Sequence, residues 1–172
     1  IGELYDKLTQ SWLDQQRERL DPIKQAVFEK DLYILASSLI QKSFIPYKKT
    51  IELAEGFDSL GMEQKHWVEK ARENLQRNYV RGGGYMVKAV AAMQGAPVPK
   101  KIRERPVYYY QYIKQLYETL DPMKERARDY YLTAYREMKE LGLGGEAVDQ
   151  CRNSFMKINY RLGGDYQDLP KE

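Results

Sequence analysis

The stretch Leu75-Gln76-Arg77-Asn78-Tyr79-Val80-Arg81-Gly82-Gly83-Gly84-Tyr85 decides how this chain is divided into helices. On its N-terminal side Val68, Ala71, Leu75 and Tyr79 recur at three- and four-residue spacing, the pattern of a helix with one apolar stripe. Three consecutive glycines follow. Lacking a β-carbon, they reach positive φ freely, so the spacing predicts that the helix stops at Gly82, Gly83 and Gly84 and that the chain turns there. A short helix from Tyr85 to Met93 then carries Val87, Val90 and Ala91.

Upstream, Ile1, Leu4, Tyr5, Leu8 and Trp12 form an amphipathic helical stripe that ends near Leu20. Asp21-Pro22 reads as a helix start, a carboxylate able to accept from free backbone N–H groups followed by a proline that needs none. That helix runs to about Ser43. Pro46 closes it and opens another through Thr50, Leu53 and Phe57, which the glycine of Leu60-Gly61 stops.

Downstream, Gly95, Pro97, Pro99 and Pro106 punctuate a basic stretch, Lys100, Lys101, Arg103 and Arg105, that reads as a linker over 95–106. It separates an N-terminal helical subdomain, 1–94, from a C-terminal one, 107–172, within what reads as one continuous domain. Tyr109, Tyr112, Ile113, Leu116 and Leu120 form the next stripe. Asp121-Pro122 repeats the start signal of Asp21-Pro22. The helix it opens ends at Gly142, Gly144 and Gly145, and a last one carries Val148, Cys151, Phe155, Ile158 and Leu162 to Gly163 and Gly164. No period-two strand pattern occurs, so the expected class is all-α.

At an offset of 81, Leu60, Gly61, Asn78, Tyr79, Gly82, Gly83 and Tyr85 match Leu141, Gly142, Asn159, Tyr160, Gly163, Gly164 and Tyr166. The unit Leu75, Tyr79, Gly83, Tyr85 and Ala89 resembles the middle of a tetratricopeptide-type repeat, and the resemblance covers about half the chain. It implies antiparallel helix pairs of about 34 residues stacked as a right-handed superhelix, and an interaction module rather than an enzyme. The other arrangement compatible with the pattern is an irregular helical bundle.

Composition excludes several classes. A hydrophobic fraction of 42% with 31% charged residues belongs to a folded chain. A net charge of +3 with interspersed signs does not indicate a nucleic-acid partner. The longest apolar runs fall far short of the roughly 20 residues of a membrane span. The chain starts at Ile1 rather than methionine, which suggests processing or excision from a longer protein and leaves the compartment, cytoplasmic or extracytoplasmic, undetermined.

No catalytic constellation is expected. His66, the single histidine, reads as a first-turn helix residue beside Trp67, and one histidine supports neither a zinc pair nor a di-iron carboxylate site. Cys151 lies on an apolar stripe, where thiols are buried and inert. The carboxylate pairs Glu52 with Glu55 and Glu69 with Glu73 read as solvated helix faces, and the glycines after Arg81 lack the strand-to-helix order of a phosphate loop. Neither a metal nor a cofactor is implied.

The distinguishing feature is 15 tyrosines against four phenylalanines, with a run at Tyr108, Tyr109, Tyr110 and Tyr112. Tyr109 and Tyr112 fall on the core stripe, whereas Tyr110 and Tyr117, seven apart, share its flank. Tyrosine buries a large ring while its hydroxyl stays wet, and it loses little entropy on immobilisation. The expected function is therefore a protein-interaction or scaffold module that binds a peptide or protein on a surface near Tyr79, Tyr85, Tyr110 and Tyr117, with self-association compatible. The alternative is a small-molecule carrier whose tyrosines line an inter-helix pocket.

Overall fold

The computed structural model describes residues 22–57 and 59–163. The amphipathic stripe from Ile1 to Trp12, the cap at Asp21, and Gly164 and Tyr166 of the 81-residue offset lie outside the described residues. Those described form six helices: α1 (Pro22–Lys42), α2 (Phe44–Glu55), α3 (Met62–Gln94), α4 (Lys100–Arg103), α5 (Pro106–Glu140) and α6 (Glu146–Arg161). Among them there is no strand, as the absence of period-two patterning requires.

α3 is the common partner, since α1, α2, α5 and α6 all pack on it. α1 and α5 run antiparallel to α3: Ser37 meets Gly82 and Tyr33 meets Tyr85 on one side, and Glu137 meets Tyr79 and Tyr131 meets Gly83 on the other. One continuous core joins Ile40, Phe44 and Ile51 to Leu75 and Tyr79 of α3 and to Tyr131, Met138, Cys151 and Phe155 of α5 and α6. This core draws on both sides of the 95–106 segment, which itself contains the single turn α4.

The glycine triplet does not end a helix. α3 passes through it without a break, and none of its three glycines has positive φ. The reason lies in the opposing helix. A β-carbon on Gly82 would strike the Tyr130 hydroxyl, and one on Gly83 would strike the Tyr131 ring, so these two glycines let α5 approach the α3 backbone closely. Gly84 faces open space, and nothing in the structure explains why it is glycine.

Pro122 does not start a helix either. It sits inside the 35 residues of α5. Its ring removes the N–H that would donate to the Glu118 carbonyl, a defect that costs about 3 kcal/mol in a helix interior. The stripe Leu120, Ala127, Tyr131, Ala134, Tyr135 and Met138 is buried on both sides of that defect and keeps one helix axis in place.

Where the chain does turn, the glycine chemistry is of the expected kind. After α5, Gly142 takes φ +62°, its N–H donates to the Lys139 carbonyl, and the Leu143 N–H donates to the Met138 carbonyl at 2.8 Å. This is a Schellman stop, with Leu143 and Met138 both buried. The glycines matched at an offset of 81 therefore do different jobs. Gly61 precedes the first turn of α3 at φ −63°, Gly82 lies mid-helix, and Gly142 and Gly163 turn the chain at positive φ. The helix before Gly61 ends earlier than expected, at Glu55, with Gly56 as its C-cap.

Candidate functional site

Two features stand out once the core is assigned. The first is the N-terminal part of α5. None of residues 106 to 119 is buried, whereas the stripe from Leu120 onward is sealed against α3 and α6. This arm carries Val107 at 68% exposure, Tyr110 at 71% and Tyr117 at 53%, with Tyr108 and Tyr109 also exposed. Tyr112, Ile113 and Leu116, the expected core stripe, reach only half-burial, and Tyr109 does not reach even that.

Cations stand over the arm's rings. The Arg105 guanidinium lies 5.6 Å from the Tyr108 ring centroid and the Lys124 ammonium 5.3 Å from that of Tyr117. Lys124 also pairs with Asp121 at 3.0 Å across Pro122. These contacts orient the edges of the arm but leave the Tyr110 ring open.

The second feature is a cleft of about 220 Å³ between α2, α3 and α5, lined by Lys48, Tyr79, Tyr130 and Glu137. The Tyr79 hydroxyl donates to Glu137 Oε2, and Lys48 Nζ donates to the same oxygen at 2.6 Å. The Tyr130 hydroxyl donates to the Tyr79 carbonyl at 3.1 Å. Burial, and then the neighbouring Glu137 carboxylate, push the Tyr79 phenol far above the usual tyrosine range; burial does the same to Tyr130. Both therefore stay neutral donors. The polar groups of this cleft satisfy one another, so it reads as a tie between α2 and α5 across α3 rather than as an open ligand site.

The four expected surface tyrosines are thus divided. Tyr110 and Tyr117 lie together on the exposed arm. Tyr79, 1% exposed, and Tyr85 are core residues, a correction to the expected surface. Tyr79 packs on Phe44 with ring centroids 4.3 Å apart, and Tyr85 stacks with Tyr33 at 6.0 Å. The period of α3 puts Tyr79 close in phase with Leu75, whereas Tyr85 lies on an adjoining face; α2 covers the first and α1 the second.

Lys48, Glu137 and Tyr130 were not singled out from the sequence. Lys48 and Glu137 are 89 residues apart, and each looks like any charge on a solvated face until the helices pack. His66 is exposed, with its ring 5.8 Å from that of Trp67. Cys151 is fully buried, and burial pushes its thiol up to about 12. Among the described residues no three His, Cys, Asp or Glu side chains cluster to hold a metal, and no helix is long and apolar enough to cross a membrane.

Compared with known protein families, curated proteins and solved structures, the chain has no significant match to any of them.

Proposed function

We propose that the protein is a non-enzymatic interaction module whose α5 arm, residues 106 to 119, docks a peptide or protein. The observation that supports this is the concentration of exposed Tyr108, Tyr109, Tyr110, Tyr117 and Val107 on a helical segment with no buried residue, continuous with the helix that enters the sealed core. Aromatic rings of this kind supply the central contacts of protein interfaces at small entropic cost. Lys100, Lys101, Arg103 and Arg105 flank the arm, so an acidic partner surface is favoured electrostatically. Of the two architectures compatible with the sequence, helices of such unequal length, 12 residues in α2 against 35 in α5, support an irregular bundle over a regular tetratricopeptide-like superhelix.

The test is capture from the source organism's lysate on the full chain, run beside a Tyr110→Ala, Tyr117→Ala double variant and a Trp67→Ala variant on the distant exposed part of α3. The expected result is a retained protein that the double variant loses and Trp67→Ala keeps, with all three showing the same helical circular dichroism. Retention of the same proteins by the double variant would sink the proposal, as would retention of nothing by the native chain.

A further inference from the structure

A second cleft, of about 340 Å³, opens where the C-terminal part of α3 meets α5 and α6. Its walls are aliphatic: Val87, Val90 and Ala91 from α3, Ala127 from α5 and Ile158 from α6. Three polar side chains of the described residues line it, Gln94, Lys124 and Arg161, two of them cationic and none of the three acidic. Apolar walls with a few convergent polar groups are the ordinary make-up of a small-ligand site, and the volume falls in the usual range for one. It is also more than twice the roughly 150 Å³ of an apolar cavity that admits benzene.

The rim decides the class of ligand. The Lys124 ammonium is already shared between Asp121 and the face of Tyr117, so it contributes positive potential without a fully free hydrogen-bonding position. Arg161, exposed in the last turn of α6, offers a planar fork suited to two carboxylate oxygens. The Gln94 amide, from α3, lines the same cleft and can donate as well. A neutral hydrocarbon would leave this rim unused, and an organic cation would be repelled by it. We propose that the cleft binds a small apolar acid, its hydrocarbon against Val87, Val90, Ala127 and Ile158 and its carboxylate on Arg161 and Gln94. The site meets the docking arm only at Lys124, which stands over Tyr117, and it holds its ligand through Arg161 and the aliphatic walls, so either proposal can fail without the other.

The proposal is tested by isothermal titration of the full chain with decanoate, and with 1-decanol as the neutral counterpart. Two variants accompany it. Val87→Phe, at a half-exposed wall position, fills the cleft, and Arg161→Gln, at an exposed one, removes the charge; helical circular dichroism and the urea midpoint verify that both fold. The expected result is saturable one-to-one binding of decanoate and at least tenfold weaker binding of decanol. Arg161→Gln should weaken decanoate by about tenfold or more, the range for a hydrogen bond to a charged group, and Val87→Phe should abolish it. Tyr110→Ala should leave it unchanged. Absence of saturable decanoate binding overturns the proposal, and so does decanol binding as tightly as decanoate, or either cleft variant binding decanoate like the native chain.

Discussion

Gly82 and Gly83 show how a single residue type carries two opposite meanings. Glycine both turns chains and thins helices, and the local sequence gives the same signal for each. Here Tyr130 and Tyr131 occupy the space where β-carbons would stand. Gly83→Ala should therefore destabilise the fold by about 1–3 kcal/mol, because the ring it meets is itself buried and has little room to move. Gly84→Ala, in the same helix but facing open space, should instead stabilise by about 0.5–1 kcal/mol. Urea unfolding of the two variants checks the opposite signs. The buried phenols give a second prediction. Burial raises Tyr131 from 10.0 to about 12 and takes Tyr79 and Tyr130 further in the same direction. A phenol whose folded value is raised keeps its full contribution below the unfolded value and loses it as pH climbs towards the folded one. Stability should thus be flat up to about pH 10 and fall between about 10 and 12. Ultraviolet phenolate titration should show Tyr79, Tyr130 and Tyr131 ionising only as the fold is lost. A gradual titration of all tyrosines without loss of helix would contradict this.

α5 is the element whose sequence and structure differ most instructively. Asp121-Pro122 has the chemistry of a helix start, and proline at the first turn is indeed tolerated at Pro106. Inside α5 the same dipeptide marks a mechanical seam, with the sealed stripe reaching only to Leu120 on its N-terminal side. Tertiary burial, not helix propensity, holds the packed part, while packing along the arm stops at the half-burial of Tyr112, Ile113 and Leu116. Amide hydrogen exchange should report this directly. Amides of residues 107 to 117 should exchange through local opening at rates well above those of residues 127 to 138, whose exchange should approach the global unfolding limit. Equal protection in the two parts would show that the arm is stabilised as strongly as the core.

At the scale of the whole molecule, α3 is a central post and the Glu137 carboxylate fastens its two sides together. One oxygen accepts from Tyr79 of α3 and from Lys48 of α2. The Lys48 and Glu137 side chains are 27% and 31% exposed, so water screens the pair in part, and its value lies in satisfying a buried hydroxyl as much as in charge attraction. Glu137→Leu should cost about 1–3 kcal/mol, because it leaves the Tyr79 hydroxyl without its acceptor. Glu137→Gln, which keeps an acceptor oxygen, should cost less than half of that. Thermal unfolding of the pair distinguishes hydrogen bonding from charge, and equal losses would assign the effect to charge alone.

What the sequence determined by itself is what depends on near neighbours in the chain. The apolar period of Ala71, Leu75 and Tyr79 required a helix, and so did that of Val148, Cys151 and Phe155. The glycines at 142 and 145, where positive φ is actually used, set the turn between α5 and α6. What only the tertiary structure decided depends on residues far apart in the chain. Helix continuity through Gly82 to Gly84 follows from Tyr130 and Tyr131 arriving from α5. Burial of Tyr79 and Tyr85 follows from α2 and α1 packing on α3, and Tyr110 and Tyr117 stay exposed on the part of α5 that precedes its buried stripe. A period says that a face is apolar. Which stretch of that face is covered is fixed by the lengths and registers of other helices, and no local pattern records those.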